Sequence, residues 1–357
     1  MKILIVSNTY YQLIMAIQLR MTLFRDAEVD LWISDQSVGA EEVAKRLAEK
    51  NIFSQVYFKE RKKTHSTLNS HKKTDSIKYA FKYNFGKAVI ETTEIYDEIL
   101  FYNLEMPLYA IADYYKQQGH KCQWSKYEEG ILSYENDFAI GNKLGRLALT
   151  EKIRSVTGRP RITQLVKKYY CMFPEFKKTH REDWEFVKIP PIGYTRNELC
   201  RILNYAFRYE AENISQKYIF FASSLDIDGC PTGETELILQ IARTVGTDNF
   251  IVKLHPRDTR SIYQENGITV MKNSFVPWEV MHMNMIEEKR VLLTATSGAF
   301  LGSSAMLDSS MTAIYLFPCL KCEAEYFLKI RQEIRDKLHV LHENYLCSNV
   351  RIYGEDN

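Results

Sequence analysis

The sequence lacks the features that define several classes of protein. It has 47 Lys and Arg against 45 Asp and Glu, and this balance disfavours a dedicated nucleic-acid-binding protein, which usually carries a strongly basic face. Only 15 Gly and 9 Pro occur among 357 residues, which excludes collagen-like and low-complexity chains. The long uncharged run at residues 291–307 is broken by Thr, Ser and Gly. It does not reach the ~20 apolar residues of a membrane-spanning helix.

Cysteine is sparse and scattered. Seven cysteines, an odd and scattered set with one lone C-x-x-C at Cys319 and Cys322, indicate free thiols in a reducing compartment rather than a disulfide framework. The apolar start, residues 1–6, is followed at once by a polar turn, which predicts a first buried strand rather than a signal peptide. We therefore predict a cytoplasmic protein.

What is present is typical of a globular protein. Apolar residues make up 45% of the chain and charged residues 26%, and the length predicts two domains. Aromatic residues are abundant, with 23 Tyr and 18 Phe. Such rings suit buried sheets and also grooves that stack on sugars or bases.

Strand-like and helix-like segments alternate in both halves of the chain, which predicts parallel sheets covered by helices. The predicted strands are residues 3–6, 29–33, 55–58, 97–102 and 122–127, then 217–222, 250–254, 268–271, 291–294 and 313–317. The predicted fold is α/β, with two doubly wound Rossmann-like domains facing a cleft, the GT-B type. The domains would span residues 1–185 and 195–330, followed by a C-terminal helix and tail over residues 331–357.

The stretch between the two predicted domains has a different character. Residues 141–181 are basic and helical in pattern, and the Pro-Pro pair within residues 189–193 predicts a linker. A second basic segment, residues 59–75, has two interpretations. It is either a solvated loop or a contact to anionic lipid head groups or to an acidic acceptor.

Two adjacent acids stand at the end of the fifth predicted strand, in Glu128-Glu129-Gly130. Open parallel sheets place their ligands at this edge, and Gly allows a close approach of the backbone. Because neighbouring side chains on a strand face opposite ways, one acid would point into the cleft and serve as a general base. The alternative is a solvated turn.

Another predicted strand leads into Lys253-Leu254-His255-Pro256-Arg257. The proline restricts its predecessor to extended geometry and so fixes the direction of the imidazole. A histidine with basic neighbours suits stabilisation of a phosphate leaving group, although a strand-end histidine can also be structural.

Further polar residues lie downstream. Glu279 is a candidate acceptor for a ribose diol, and Thr296-Ser297, between a strand and a helix start, is a candidate phosphate site. The neighbouring pair Ser303-Ser304 leaves the choice of hydroxyl pair open, and Asp228 is a rival general base.

Taken in order, these motifs resemble the acid-acid-Gly, His-Pro and hydroxyl-pair motifs of the bacterial sialyltransferases. The opening strand and the turn Thr9-Tyr10-Tyr11-Gln12-Leu13 look like glycosyltransferase family 52, the lipooligosaccharide and capsule sialyltransferases. The resemblance implies transfer of sialic acid from CMP-sialic acid to a galactose-type hydroxyl of a surface glycan, with inversion. No metal and no cofactor would be required.

The resemblance also implies roles for individual residues. Glu129 would be the general base, and His255 would act on the departing phosphate. Nucleotide binding would fall to Pro256, Glu279, Thr296 and Ser297, and acceptor contacts to Thr9, Tyr10 and Gln12. Supporting positions would be Glu128, Gly130, Asp228, Lys253, Arg257, Ser303 and Ser304. The expected partners are a CMP-sugar, a glycan acceptor and no nucleic acid. The lipooligosaccharide group suggests a homodimer, and the basic segment a peripheral contact at the inner face of the membrane.

Alternatives remain open at this point. Asp226-Ile227-Asp228 is a D-x-D sequence of the kind that holds a divalent metal against a nucleotide diphosphate. A transferase of the same fold could use another sugar nucleotide, since the fold does not fix the donor. A polysialic-acid elongating enzyme and a binding module without turnover are further possibilities.

Overall fold

The computed structural model describes residues 1–61, 73–85, 92–130, 133, 144–176, 183–285, 290–307, 309–343 and 349–355. The chain divides into two compact units, Met1–Pro190 and Pro191–Asn357. Each unit contains one sheet in which every neighbouring pair of strands is parallel. This confirms the predicted pair of doubly wound α/β domains.

The first unit is built on a seven-stranded sheet in the order β3-β2-β1-β4-β5-β6-β7. Its strands are β1 (Lys2–Ser7), β2 (Glu28–Ser34), β3 (Gln55–Lys59), β4 (Glu98–Phe101), β5 (Gln123–Tyr127), β6 (Val166–Cys171) and β7 (Glu185–Lys188). Its helices are α1 (Tyr10–Met21), α2 (Ala40–Glu49), α3 (Lys73–Phe85), α4 (Met106–Gln117), α5 (Leu144–Val156) and α6 (Ile162–Leu165). Short 3₁₀ turns follow at Pro174–Phe176 and, in the second unit, at Ile192–Tyr194, Thr247–Asn249 and Phe317–Cys319.

The central strands are buried on both faces. Ile3, Leu4 and Ile5 of β1 are fully buried, as are Ile99 and Leu100 of β4. Continuous apolar runs of this kind are typical of parallel strands covered by helices on each side. The core of the unit therefore lies around β1 and β4, and the polar turns that follow these strands share one edge of the sheet.

Part of the first unit differs from the sequence prediction. Residues 141–181 were expected to be helical, but β6 lies inside that stretch and pairs with β5, and β7 pairs with β6. The buried side chains of β6 are Val166 and the run Tyr169–Cys171, separated by two lysines. That pattern lacks strict alternation, so the pairing with neighbouring strands decides the conformation.

The second unit has a six-stranded sheet in the order β10-β9-β8-β11-β12-β13. Its strands are β8 (Tyr218–Phe221), β9 (Phe250–Lys253), β10 (Thr269–Val270), β11 (Val291–Thr294), β12 (Thr312–Tyr315) and β13 (Val350–Ile352). Its helices are α7 (Arg196–Phe207), α8 (Glu234–Val245), α9 (Ile262–Glu265), α10 (Trp278–Asn284), α11 (Ala299–Leu307) and α12 (Glu325–Glu343). The core includes Phe220, Val252 and Leu293 of the sheet packed with Ile238 of α8.

The division between the units falls at Pro190–Pro191, inside the stretch predicted as a linker. The predicted boundary between residues 330 and 331 falls inside α12, and β13 pairs with β12, so the described part of the tail belongs to the second sheet. Among the described residues, no helix is both long enough and apolar enough to cross a membrane.

Candidate functional site

In the first unit, the polar turn after β1 leads directly into α1. Thr9 has an extended backbone and its hydroxyl accepts a hydrogen bond of 3.3 Å from the N–H of Gln12, so Thr9 caps the helix. The Gln12 side chain turns back, and its Oε1 accepts the N–H of Asn8 at 2.7 Å. This pair of local bonds fixes the turn that carries Asn8, Thr9 and Gln12 at the edge of the sheet.

Glu128 and Glu129 follow β5 at the same edge and have different surroundings. Glu128 is almost fully buried. Its Oε1 accepts a 2.6 Å hydrogen bond from the Tyr11 hydroxyl, and its Oε2 accepts a 2.7 Å bond from the N–H of Met172. Glu128 therefore ties α1 to the end of β6 and has a positioning role.

Glu129 is half-buried and has other neighbours than Glu128. Burial raises the pKa of its carboxyl to about 7, while the Gln12 side chain, the Lys126 ammonium and the Thr9 hydroxyl act to lower it. The Gln12 Oε1 accepts from Asn8, and its buried amide nitrogen has no hydrogen-bond partner among the described residues. Lys126 is fully buried, with its ammonium 4.6 Å from the centroid of the Tyr102 ring. A carboxyl with a pKa near 7 is suited to general-base catalysis at neutral pH.

Asn8, which the sequence analysis did not single out, lies beside these groups. Its side chain is 2% exposed, and neither its Oδ1 nor its Nδ2 has a hydrogen-bond partner among the described residues. A buried amide without partners carries a desolvation cost. At a sheet edge where ligands bind, such an amide is a candidate for contact with a ligand.

Two other predicted residues of this edge have distinct positions. The hydroxyl of Tyr10 donates to the carbonyl of Val38 in the loop before α2, so Tyr10 is directed to a different strand end from Tyr11. Gly130 has a φ of +93°, a conformation that disfavours other residues, and a side chain there would come within about 4 Å of the Tyr11 ring. Gly130 thus lets the chain turn beside Tyr11.

In the second unit, His255 follows β9 in a tight turn. The N–H of Asp258 donates to its carbonyl at 2.8 Å, and Pro256 is exposed at the turn. The backbone N–H of Arg257 donates to His255 Nδ1 at 3.2 Å, which places the proton of the neutral ring on Nε2. Burial, and then the Arg257 charge, lower the pKa of His255 below its usual value. Nε2 is therefore the atom available to donate to a ligand.

The two aspartates of the D-x-D sequence, Asp226 and Asp228, both form hydrogen bonds or ion pairs with other residues of the protein. Asp228 forms a bidentate ion pair with Arg257, in which two guanidinium nitrogens donate to the two carboxylate oxygens at 2.8 Å each. Asp226 accepts from the backbone N–H and the hydroxyl of both Thr232 and Thr235. Among the residues that the structure describes, no three His, Cys, Asp or Glu side chains converge as a metal site.

Lys253, the last residue of β9, and Glu279 on α10 form a buried pair of opposite charges. Burial lowers the pKa of Lys253 to about 8, against the charges of Glu279 and Glu212. Burial also raises the pKa of Glu279 to about 7, against its own backbone N–H and Lys253. The Lys253 ammonium donates to the carbonyl of Ser274 at 2.8 Å. The hydrogen bond from Lys253 to Ser274 links β9 to the loop that precedes α10.

The two candidate hydroxyl pairs differ in accessibility. Thr296 and Ser297 are half-buried at the turn between β11 and α11. The N–H of Ser297 donates to Thr294 Oγ1 at 3.0 Å, and Ser297 Oγ accepts the N–H of Ala299 at 3.3 Å. Those two N–H groups therefore have partners within the turn, which leaves the side-chain hydroxyls as the candidate donors to a phosphate. Ser303 and Ser304 are fully buried within α11, so only Thr296-Ser297 lies at the edge.

Sequence reasoning missed Glu234, the first residue of α8. Its Oε2 accepts from the N–H and the hydroxyl of Ser223, at 2.8 and 2.7 Å. Burial raises the pKa of this carboxyl to about 7, and the backbone of Ala295 contributes a smaller lowering effect. The acid therefore links the end of β8 to the start of α8. The preceding Pro-Thr-Gly turn was the available signal, but an acid in the first turn of a helix is common.

The basic segment at residues 59–75 is only partly described, because residues 62–72 lie outside the described residues. Arg61 is 7% exposed and pairs with Glu105 at 3.3 Å. The Lys59 ammonium lies 4.6 Å from the centroid of the Trp32 ring. These contacts within the protein oppose the expectation that Arg61 binds lipid head groups.

No family model and no curated protein matches the sequence. The fold is similar to that of α/β-galactoside α-2,3-sialyltransferase from the luminous marine bacterium Photobacterium phosphoreum, with a TM-score of 0.52 and 11% identity over 98% of each chain. UGT89C1 of Arabidopsis thaliana, complexed with UDP, matches with a TM-score of 0.48 and 11% identity over 88% of this chain and 80% of that one. UDP-GlcNAc 2-epimerase from Neisseria meningitidis matches with a TM-score of 0.45 and 13% identity over 96% and 92%.

Proposed function

We propose that this protein is a glycosyltransferase that moves sialic acid from CMP-sialic acid to a hydroxyl of a neutral, galactose-type sugar, with inversion. The observation that carries the proposal is Glu129, a carboxyl at a strand edge whose pKa is raised to about 7 by burial. The motif order and the fold shared with a sialyltransferase support the choice of donor.

Glu129 would be the general base. The acceptor hydroxyl gives its proton to the Glu129 carboxylate while its oxygen bonds to the anomeric carbon of the donor. A base with a pKa near the working pH combines a populated carboxylate with useful proton affinity. Glu128 cannot share this task, because Tyr11 and Met172 hold both of its oxygens.

Asn8, Gln12 and Thr9 would recognise the acceptor. The Asn8 amide offers one donor and one acceptor without partners among the described residues, the combination that suits a sugar hydroxyl. Apart from Lys126, which lies beneath the Tyr102 ring, the groups acting on the Glu129 carboxyl are uncharged. This composition favours a neutral acceptor over an acidic one, and therefore over a polysialic-acid chain.

His255 would act on the leaving group. As the bond between the anomeric carbon and the phosphate oxygen breaks, Nε2 donates a hydrogen bond or a proton to the phosphate. The N–H of Arg257 on Nδ1 sets this tautomer. Thr296 and Ser297 would contribute hydroxyl donors to the same phosphate, and no metal or other cofactor enters the proposal.

Glu279 and Lys253 would serve the nucleoside. Both are buried at the end of β9 and on α10, and each shifts the pKa of the other. The carboxyl of Glu279 can accept from a ribose diol. Pro256, which is exposed just after β9, would provide an apolar contact to the nucleoside.

The test is a binding and turnover experiment on EDTA-treated protein. CMP and UDP are titrated by calorimetry, and CMP-sialic acid is then supplied with lactose or with oligosialic acid. We expect CMP binding and sialyl-lactose formation. Glu129→Gln should lower transfer by about 10²–10⁴-fold while CMP binding is kept. His255→Ala should also lower transfer. Glu49→Gln, an exposed acid on α2, is the matched control and should be active.

Other outcomes would each change a definite part of the proposal. UDP binding in place of CMP would overturn the donor. If EDTA abolished activity and Mg²⁺ restored it, the result would favour the alternative in which Asp226 and Asp228 hold a divalent metal. Donor hydrolysis without transfer to lactose would keep the donor and reject the acceptor, and preferential use of oligosialic acid would favour the polysialic-acid alternative.

A further inference from the structure

A surface helix of the first unit presents large apolar side chains to solvent. Ile77, Phe81 and Phe85 of α3 are 53%, 56% and 54% exposed. They are spaced four residues apart and so lie along one face of the helix. We call these three residues the apolar stripe. The rings of Phe81 and Phe85 lie 5.4 Å apart, so the stripe is continuous at that end.

The stripe is a separate face from the one that docks α3 on its own unit. Ala80 and Asn84 are buried, and the Asn84 amide contacts the carbonyl of Thr150 on α5 at 3.4 Å. With this face packed, the helix is held in place while the stripe points outward. Surface helices of globular proteins usually keep such a face polar, so the exposure calls for a partner.

Basic side chains border the stripe. Lys78 and Lys82 are exposed on the side of α3 next to the stripe, and α3 contains three lysines and one acid, Asp75. The Arg159 guanidinium lies 5.7 Å from the centroid of the Phe85 ring. Aromatic and aliphatic side chains bordered by lysine are the composition of helices that lie in the surface of an anionic bilayer.

We propose that α3 is a membrane-docking helix, whose apolar stripe inserts at the level of the acyl boundary while Lys78 and Lys82 contact anionic phospholipid head groups. The charge complementarity selects an anionic lipid surface over a second copy of the chain, because two copies meeting at this face would bring their lysines together. The inference is independent of the donor and acceptor proposed above. It assigns the membrane contact to α3 and not to Arg61, which is buried in an ion pair.

The test is sedimentation of the full chain with vesicles. We expect binding to vesicles of equal parts phosphatidylglycerol and phosphatidylcholine, weakening as salt rises, and little binding to phosphatidylcholine alone. Ile77→Ser/Phe81→Ser/Phe85→Ser should abolish binding. Lys78→Glu/Lys82→Glu should lower the partition coefficient at least about tenfold. Tyr326→Ser and Lys329→Glu, exposed positions on α12, are the controls and should bind as the wild type does.

The outcomes separate the membrane from other partners. The proposal would be overturned if the wild type, the triple serine variant and the lysine variant bound the anionic vesicles equally. It would also be overturned if the wild type did not bind anionic vesicles. A wild type that dimerises in sedimentation velocity without lipid, through a contact that the serine variant loses, would make the stripe an interface between copies. Far-ultraviolet circular dichroism checks that each variant is folded, and the lysine variant keeps the test decisive if the triple variant unfolds.

Discussion

The Tyr11 hydroxyl donates a 2.6 Å hydrogen bond to Glu128 across 117 residues of sequence, and this bond separates the roles of two adjacent acids. Glu128 is also held by the N–H of Met172, so both of its oxygens have partners. Glu129 is left with the Gln12, Lys126 and Thr9 groups that tune its pKa. The two acids are adjacent in the chain, but Glu128 is held by two hydrogen bonds and Glu129 has a carboxyl whose pKa is raised by burial.

Removing the Tyr11 hydroxyl should therefore destabilise the first unit. Tyr11→Phe leaves one oxygen of a buried carboxylate without this partner, at a cost of about 1–3 kcal/mol in the free energy of unfolding. Urea denaturation at pH 7 measures the difference. Tyr194→Phe changes a tyrosine that is 88% exposed and should leave the free energy of unfolding unchanged. Equal stability of wild type and Tyr11→Phe would contradict the positioning role of the bond.

The pH dependence of transfer should follow the Glu129 carboxyl. Its pKa is raised to about 7, and a general base must be ionised, so kcat/KM should rise with pH and level off above about 7. Gln12→Ala removes a group that lowers this pKa, so the acid limb should move to higher pH. Gln18→Ala, elsewhere on α1, where the amide donates to the carbonyl of Pro190, should leave the limb in place. If the acid limb of the pH profile did not move in Gln12→Ala, Gln12 would not act on the pKa of Glu129.

The same carboxyl should make stability depend on pH. A carboxyl whose pKa is about 7 when folded and 4.5 when unfolded binds its proton more tightly in the folded protein. Its contribution is fully present below about pH 4.5 and is lost as the pH rises to about 7. Glu129→Gln removes this dependence, so wild type should lose up to about 3 kcal/mol relative to the variant across that window. Urea unfolding of both proteins at several pH values measures this difference in the free energy of unfolding. A difference that grows in favour of the wild type as the pH rises would contradict the prediction.

Asn8 should matter more for the acceptor than for the fold. Because its buried amide has no hydrogen-bond partner among the described residues, Asn8→Ala should cost at most about 1 kcal/mol of stability. Loss of two bonds to a sugar hydroxyl should raise the KM for lactose by about tenfold or more, with CMP affinity unchanged. Asn266→Ala, an exposed amide beyond α9, is the control. A fall in stability without a change in KM would make Asn8 a structural residue.

Much of the fold was predictable because buried parallel strands leave a plain pattern in the sequence. The strands Val291–Thr294 and Phe250–Lys253 lie within predicted strands, since apolar runs are local signals. β6 was not predictable in the same way, because its lysines and tyrosines become a strand only through pairing with β5 and β7. The short strand β7 was missed for the same reason. Helix α3 was also missed, and its docking through Ala80 and Asn84 depends on tertiary packing.

The sequence was sufficient to predict where the candidate site residues lie in the fold, but not which contacts each of them makes. Strand-end motifs led to Glu129 and His255 because the carboxyl edge of a parallel sheet is a general place for ligands. Which tyrosine of Tyr10-Tyr11 faces Glu128, and whether Asn8 has a partner, depend on the rotation of α1 against the sheet. That rotation is set by tertiary packing, and no residue spacing encodes it.

The strand order has a consequence for how the chain is made. In both units the first strand is interior to the sheet, and later strands add first to one side and then to the other. Each sheet can thus grow outward from its own first strand as the ribosome delivers the rest, and the first unit is complete before the second begins. The Glu128 carboxylate gains its second partner only when Met172 emerges, so Glu128 is fixed in place near the end of the synthesis of its unit.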